Sequence, residues 1–184
     1  MSIEEDKQIM DYQEALKRAR TLMQAHPRIV FMMCGIAGSG KTTFPQALEK
    51  MGCQRLSIDE EIWRTSGRFG VDYSEHDYPD LQASVEKSLR RQLVKMLRHG
   101  TKAVIDFSFW NAKARADYRE LVQRNDHHCQ LVYMNAPEKV LRERLIARAS
   151  RRDANAAFPI TEKRLRRYIR GFEPPSGKEA WTVE

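Results

Sequence analysis

The stretch Ile29-Val30-Phe31-Met32-Met33-Cys34-Gly35-Ile36-Ala37-Gly38-Ser39-Gly40-Lys41-Thr42-Thr43 decides how this chain folds. Six apolar residues in a row predict a buried strand, and the pattern from Thr43 to Leu48 predicts a helix. Between them Gly35, Gly40, Lys41 and Thr42 fit G-x-x-x-x-G-K-[ST], whose glycines let backbone N–H groups converge on a phosphate at the positive end of a helix. An ordinary strand-to-helix turn needs about one glycine; three, with Lys-Thr at fixed offsets, match a triphosphate. Gly35, Ala37, Gly38, Ser39, Gly40, Lys41, Thr42 and Thr43 are therefore the expected nucleotide cradle. Lys41 would reach the β and γ phosphates and the Thr42 hydroxyl would ligate Mg²⁺. Pro45 falls in the first helical turn, where its missing N–H costs nothing.

Outward from that loop, strand and helix signals alternate. An amphipathic helix is expected from about Glu5 to Ala25, within an N-terminal extension, residues 1–27, closed by His26-Pro27. Cys53 to Ile58 reads as a short strand ending in Asp59. From Glu60 to Pro79 periodicity fails, and the aromatic, glycine-rich segment predicts an irregular connection placed to cover a ligand. A helix over 81–97, a strand ending at Asp106, a helix capped by Asn111 or Ser108, a strand over 129–134 and a helix opened by Ala136-Pro137-Glu138 follow. Beyond Phe158-Pro159 come a helix from Thr161 to Gly171 and a fifth, edge strand over 180–183. The alternation predicts an α/β fold with a parallel sheet and right-handed crossovers.

With 184 residues, 41% of them hydrophobic, one domain spanning 1–184 is expected. No run approaches 18 apolar residues and the N-terminus is acidic, so a cytoplasmic protein with no membrane partner is expected. Cys34, Cys53 and Cys129 form no C-x-x-C pair and predict neither a disulfide nor a zinc site. Between Arg142 and Arg170 stand ten Lys/Arg against three acids, a surplus equal to the net charge of +7 of the whole chain. Such a basic lid and helix, 142–170, suits the phosphates of a nucleotide or of a nucleic acid, while several of its arginines would sit on a solvated face.

In an open parallel sheet ligands bind at the carboxyl ends of the strands. Asp59 and Asp106 both follow apolar strands, so one should help hold Mg²⁺ and the other accept the proton of an attacking hydroxyl. Arg144 and Arg148, four apart on one helix face, would close over the γ phosphate. Arg64, Tyr73 and Arg115 are the candidates for contact with the acceptor.

These residues resemble the P-loop kinases related to polynucleotide kinase, zeta toxin and chloramphenicol phosphotransferase, and more narrowly the AAA-33 group of small bacterial predicted kinases. The matching features are Gly35 to Thr42, Leu-Ser-Ile-Asp-Glu at 56–60, Val-Ile-Asp-Phe-Ser-Phe-Trp at 104–110 with Arg115, Ala-Pro-Glu at 136–138 with Arg144 and Arg148, and Ala-Phe-Pro-Ile-Thr at 157–161 with Phe172-Glu173-Pro174-Pro175. The resemblance implies a five-stranded sheet of order 2-3-1-4-5, an Asp at position 59 as base, lid arginines on the transferred phosphoryl, and ATP with Mg²⁺. It departs from polynucleotide kinase at Ile62, where an arginine is expected. A small hydroxyl-bearing molecule is accordingly the expected acceptor, with a polynucleotide or RNA 5′-hydroxyl kinase and an ATP-binding regulatory protein with slow hydrolysis as the alternatives.

Overall fold

A computed structural model describes residues 9–151, 153–156, 158–176 and 179–184. Its centre is β2 (Ile29–Cys34), in which all six side chains are fully buried. Burial of such a side chain stabilises by roughly 1.5–3 kcal/mol, so this strand is the strongest apolar anchor of the chain. Its alternation divides the molecule into layers. Val30, Met32 and Cys34 face α4 (Tyr78–Arg98) and α5 (Ala112–Gln123) through Val85, Leu89, Leu93, Tyr118 and Val122. Ile29, Phe31 and Met33 face α1 (Tyr12–Ala25) and α2 (Thr43–Lys50) through Ala15, Ala19, Met23, Phe44 and Leu48.

The sheet runs β1 (Ile9–Met10), β6 (Trp181–Val183), β5 (His128–Met134), β2, β4 (Ala103–Asp106), β3 (Gln54–Ser57), with every pair parallel. The order expected for five strands is present, and a sixth is added to it. Ile9 and Met10 were expected to be helical. They instead pair with Thr182 and Val183, and Asp11 then starts the helix by accepting from the Glu14 N–H at 2.8 Å. The 180–183 strand is consequently not an edge. The expected helical residues before Ile9 lie outside the described residues.

A second correction concerns residues 60–79. Far from being irregular throughout, they begin inside α3 (Ile58–Ser66), capped by Ser57 and ended by Gly67. Only Ile58 and Ile62 of this nine-residue helix are buried, too few to give a readable period. Three acids, Asp59, Glu60 and Glu61, occupy its first turn, where the helix dipole favours them. Asp59 thus stands on a helix rather than on a strand end.

Asn111 caps α5 and Thr161 caps α7 (Glu162–Gly171), as expected. A third, small apolar cluster joins α6 (Glu138–Arg148) and α7 through Leu141, Leu145 and Leu165 to Ile36 and Ala37 of the glycine-rich loop. That contact holds the basic segment over the carboxyl end of β2. The three cysteines are free. Among the described residues no helix is long and apolar enough to cross a membrane.

Candidate active site

Gly35 leaves β2 with φ +144°, and its N–H donates to Ser108 O at 3.1 Å. A Cβ there would lie 2.7 Å from Met134 O, so only glycine fits between the flanking strand ends. Gly38, at φ +88°, lies under α6, where a Cβ would meet Leu141 O at 3.0 Å. The loop between them closes on itself, with Ser39 N donating to Ile36 O at 3.1 Å and Lys41 Nζ to the same carbonyl at 3.0 Å. Among the described residues the N–H groups of Gly38, Gly40, Lys41 and Thr42 donate to no protein acceptor. Thr42 heads α2 without spending its hydroxyl on a cap. Together these form a ring of unpaired donors at the start of a helix, the arrangement that receives a phosphate. Pro45, buried in the first turn of α2, does not interrupt it.

Two carboxylates act on Lys41. Burial lowers the Lys41 ammonium from its ordinary value, against the charges of Asp106 and Asp59. Burial in turn raises Asp59, opposed by Arg148 and Lys41. Asp106 is pushed by burial up to about 6, opposed chiefly by Arg55. Lys41, Asp59, Asp106 and Arg148 thus form one electrostatically coupled group beside the loop. Arg144 reaches the loop directly, donating to Ser39 O at 3.1 Å and more weakly to Gly38 O at 3.4 Å.

Arg55 is the residue that sequence reasoning missed. Its side chain is 2% exposed and donates to Asp106 Oδ2 from Nε (3.0 Å) and from the guanidinium terminus (2.6 Å). Its other arm meets Glu60 at 2.5 Å, and Asn155 contacts both Arg55 and Glu60 at 3.4 Å. A lone arginine in the run Cys53 to Ile58 was the available signal, since a charge there must be paired to be buried. Asp106 Oδ1 accepts no hydrogen bond from the described residues.

The structure brings Arg144 and Arg148 to the loop with the two aspartates, and sends the acceptor candidates to different places. Tyr73 lies beside Tyr78, close enough to Asp59 for that carboxylate to raise its phenol, although burial is the larger cause. Arg64 is exposed and paired with Glu61 at 2.6 Å. Arg115 is 2% exposed and donates to Phe109 O (3.2 Å), Glu173 O (2.7 Å) and Glu179 Oε1 (2.9 Å). These partners belong to the segments around the site.

No cluster of three metal-ligating side chains exists among the described residues. Mg²⁺ does not require one, since it keeps several waters and takes phosphate oxygens with one or two protein groups. The free Thr42 hydroxyl and the free oxygen of Asp106 fit that donor set.

A parallel sheet with a glycine loop of unpaired amides, a lysine folded back onto that loop and an acid at the end of the neighbouring strand defines a P-loop phosphate-binding protein. Residues 30–175 match the AAA_33 family, described as an AAA domain, and the chain belongs to that family. Among solved structures it is similar to a candidate kinase from Chloroflexus aurantiacus, with 20% identity and a TM-score of 0.68 over 85% of this chain and 88% of the other. It is also similar to a gluconokinase from Sinorhizobium meliloti 1021, with 20% identity and a TM-score of 0.53 over 86% and 82% of the two chains. Kti12 of Chaetomium thermophilum, solved with ADP-AlF3, shares 14% identity and a TM-score of 0.54 over 84% and 86%. At these identities the likeness shows the fold alone. No curated protein matches the chain.

Proposed function

We propose that this chain is an ATP-dependent phosphotransferase that moves the γ phosphate to a hydroxyl of a small-molecule acceptor. The observation that carries this reading is geometric: a glycine loop of unpaired amides has Arg144 on its carbonyls and, at the end of a neighbouring strand, the Asp106 carboxylate held by Arg55.

In this reading the loop amides and Lys41 hold the triphosphate. Thr42 and Asp106 would hold Mg²⁺, which would supply charge neutralisation to the phosphates. Asp59 accepts the proton of the acceptor hydroxyl as its oxygen attacks phosphorus. Its raised proton affinity makes it a better acceptor than an exposed carboxylate. Arg55 fixes Asp106 and leaves Asp59 free, which favours Asp59 as base and Asp106 as metal support. Arg144 and Arg148 place positive charge where the transferred phosphoryl develops its negative charge.

The test is Asp59→Asn, followed by calorimetric titration of ATP and a phosphoryl-transfer assay. ATP affinity should stay within about threefold while transfer falls about 10²–10⁴-fold, the usual contribution of a general base. Undiminished turnover in the variant would refute the assignment of the base.

A further inference from the structure

Beside Asp59 lies a cluster of aromatic rings. Tyr78 and Phe158 lie face to face, with centroids 3.9 Å apart and planes at 16°. Tyr73 stacks beyond Tyr78 at 6.4 Å, and Phe69 meets Phe158 and Tyr73 edge-on at 4.9 and 5.8 Å. The guanidinium of Arg164 sits 4.4 Å over Phe158 and pairs with Glu75. The four rings come from two sides: Phe69, Tyr73 and Tyr78 from the connection between α3 and α4 and its junction with α4, and Phe158 from the segment between α6 and α7. All four are half-buried, unlike core aromatics such as Phe31 and Phe44.

The Tyr78 hydroxyl is 3.5 Å from Asp59 Oδ1, and among the described residues no other side chain donates to that carboxylate. A polyol or sugar acid needs a dense set of hydrogen-bonding side chains, because each of its hydroxyls loses water on binding. Of the four rings only Tyr73 and Tyr78 carry a hydroxyl, so this cluster offers a polyol few partners. A planar ring, by contrast, gains most from such faces by stacking.

Resting on the phosphotransferase reading above, we infer that the acceptor is an aromatic alcohol whose ring stacks on Tyr78 in the place that Phe158 takes here, with its hydroxyl directed to Asp59. Phe158, latched by Arg164 and Glu75, is then a removable occupant of the acceptor subsite. In the transfer the hydroxyl oxygen forms a bond to the γ phosphorus and the bond from that phosphorus to the bridging oxygen of ADP breaks. The hydroxyl proton goes to Asp59, and the products are the phosphate monoester and ADP. The ring is supplied equally by a nucleoside or by a simple aryl carbinol, and the experiment separates the two.

The full chain is probed by saturation-transfer NMR with benzyl alcohol, adenosine, D-gluconate and glycerol, and the same four compounds are offered with γ-labelled ATP. Saturation should pass to one or both ring compounds and to neither polyol, with adenosine alone responding if the source is a nucleoside. Tyr78→Leu should weaken that binding about tenfold. Tyr78→Phe, which keeps the ring, should retain it, and this guards against a folding artefact. Phe158→Ala should tighten it several-fold, because a competing occupant is gone. Ring binding that ignores Tyr78→Leu, binding or labelling of the polyols alone, or no ring binding at all would overturn the inference. Labelling of a single-stranded oligonucleotide with both free ring compounds ignored would also overturn it. Ring binding with the expected Tyr78 dependence but no transferred label would leave the subsite standing and count against the phosphotransferase reading instead.

Discussion

Replacing Arg115 by methionine separates two roles that the sequence left open, contact with the acceptor and bracing of the fold. The side chain is nearly the same size, so the change removes charge and donors rather than volume. Three acceptors lose a partner: the carbonyls of Phe109 and Glu173 and the Glu179 carboxylate. Phe109 is held at φ 41°, an unfavourable conformation for a bulky residue, and its carbonyl also accepts from Cys34 Sγ. Breaking a buried ion pair costs about 3–5 kcal/mol. Glu179 is 21% exposed and keeps Arg119 at 3.8 Å, so the lower end, about 3 kcal/mol, is the relevant figure. At about 2–4 °C per kcal/mol for a chain of this size, Tm should fall by about 6–12 °C. Calorimetry at pH 7 measures it, alongside the acceptor KM determined well below the new Tm. A Tm within about 2 °C of the parent, with the acceptor KM raised more than about tenfold, would refute the bracing role and make Arg115 a ligand for the acceptor.

Three further outcomes are expected. Gly35→Ala forces a side chain into the space 2.7 Å from Met134 O at φ +144°, so ATP titration should show nucleotide binding lost while the apolar strand beneath still folds. His128 stacks on His26 at 4.1 Å, and its proton affinity is lowered by burial and then by the His26 charge. The native state therefore binds fewer protons than the unfolded one, so stability is full above about pH 6.5 and falls as pH drops through that value. Urea midpoints at pH 7.5 and 5.5 measure the fall, and His128→Gln should flatten it. Finally, the acceptor KM should change less than about twofold between 50 and 200 mM salt, whereas a polynucleotide making 6–10 phosphate contacts would lose about 10³–10⁵ in affinity.

The loop, the parallel sheet and the order of its central five strands were legible because each rests on local chemistry. Glycines at fixed offsets and continuous apolar runs survive any tertiary context. Asp106 does close its apolar strand, whereas Asp59, expected at a strand end, stands in the first turn of a helix whose two buried residues give no readable period. What escaped depends on contacts distant in sequence. Ile9-Met10 carries no strand signal of its own and becomes a strand only because Trp181–Val183 offers it an edge. Arg55 meets Asp106 across 51 residues and Asn155 across 100, and no spacing rule encodes either. Phe158 lies 80 residues from Tyr78, so the aromatic cluster could be seen only as scattered rings.

The basic segment shows how far charge counting alone can mislead. Arg142 is paired with Glu138 and Glu162, Arg151 with Asp153, Arg164 with Glu75, and Arg166 with Glu162. Most of these pairs are exposed and worth at most about 1 kcal/mol each, so they would yield readily to a phosphate backbone. Pairing therefore does not disqualify the segment as a nucleic-acid surface. The decisive difference lies with the arginines engaged elsewhere. Arg144 is bonded to the loop carbonyls, and Arg148 acts on Asp59 and Lys41. In the proposed reading these two serve the triphosphate. Arg55, outside the segment altogether, joins Asp106 to Glu60 and Asn155, and so ties the segment after α6 to Asp106. In the proposed reading the acceptor takes the place of Phe158, three residues from Asn155, so its entry and the setting of Asp106 would share one segment, a link that a surface for binding nucleic acid does not require.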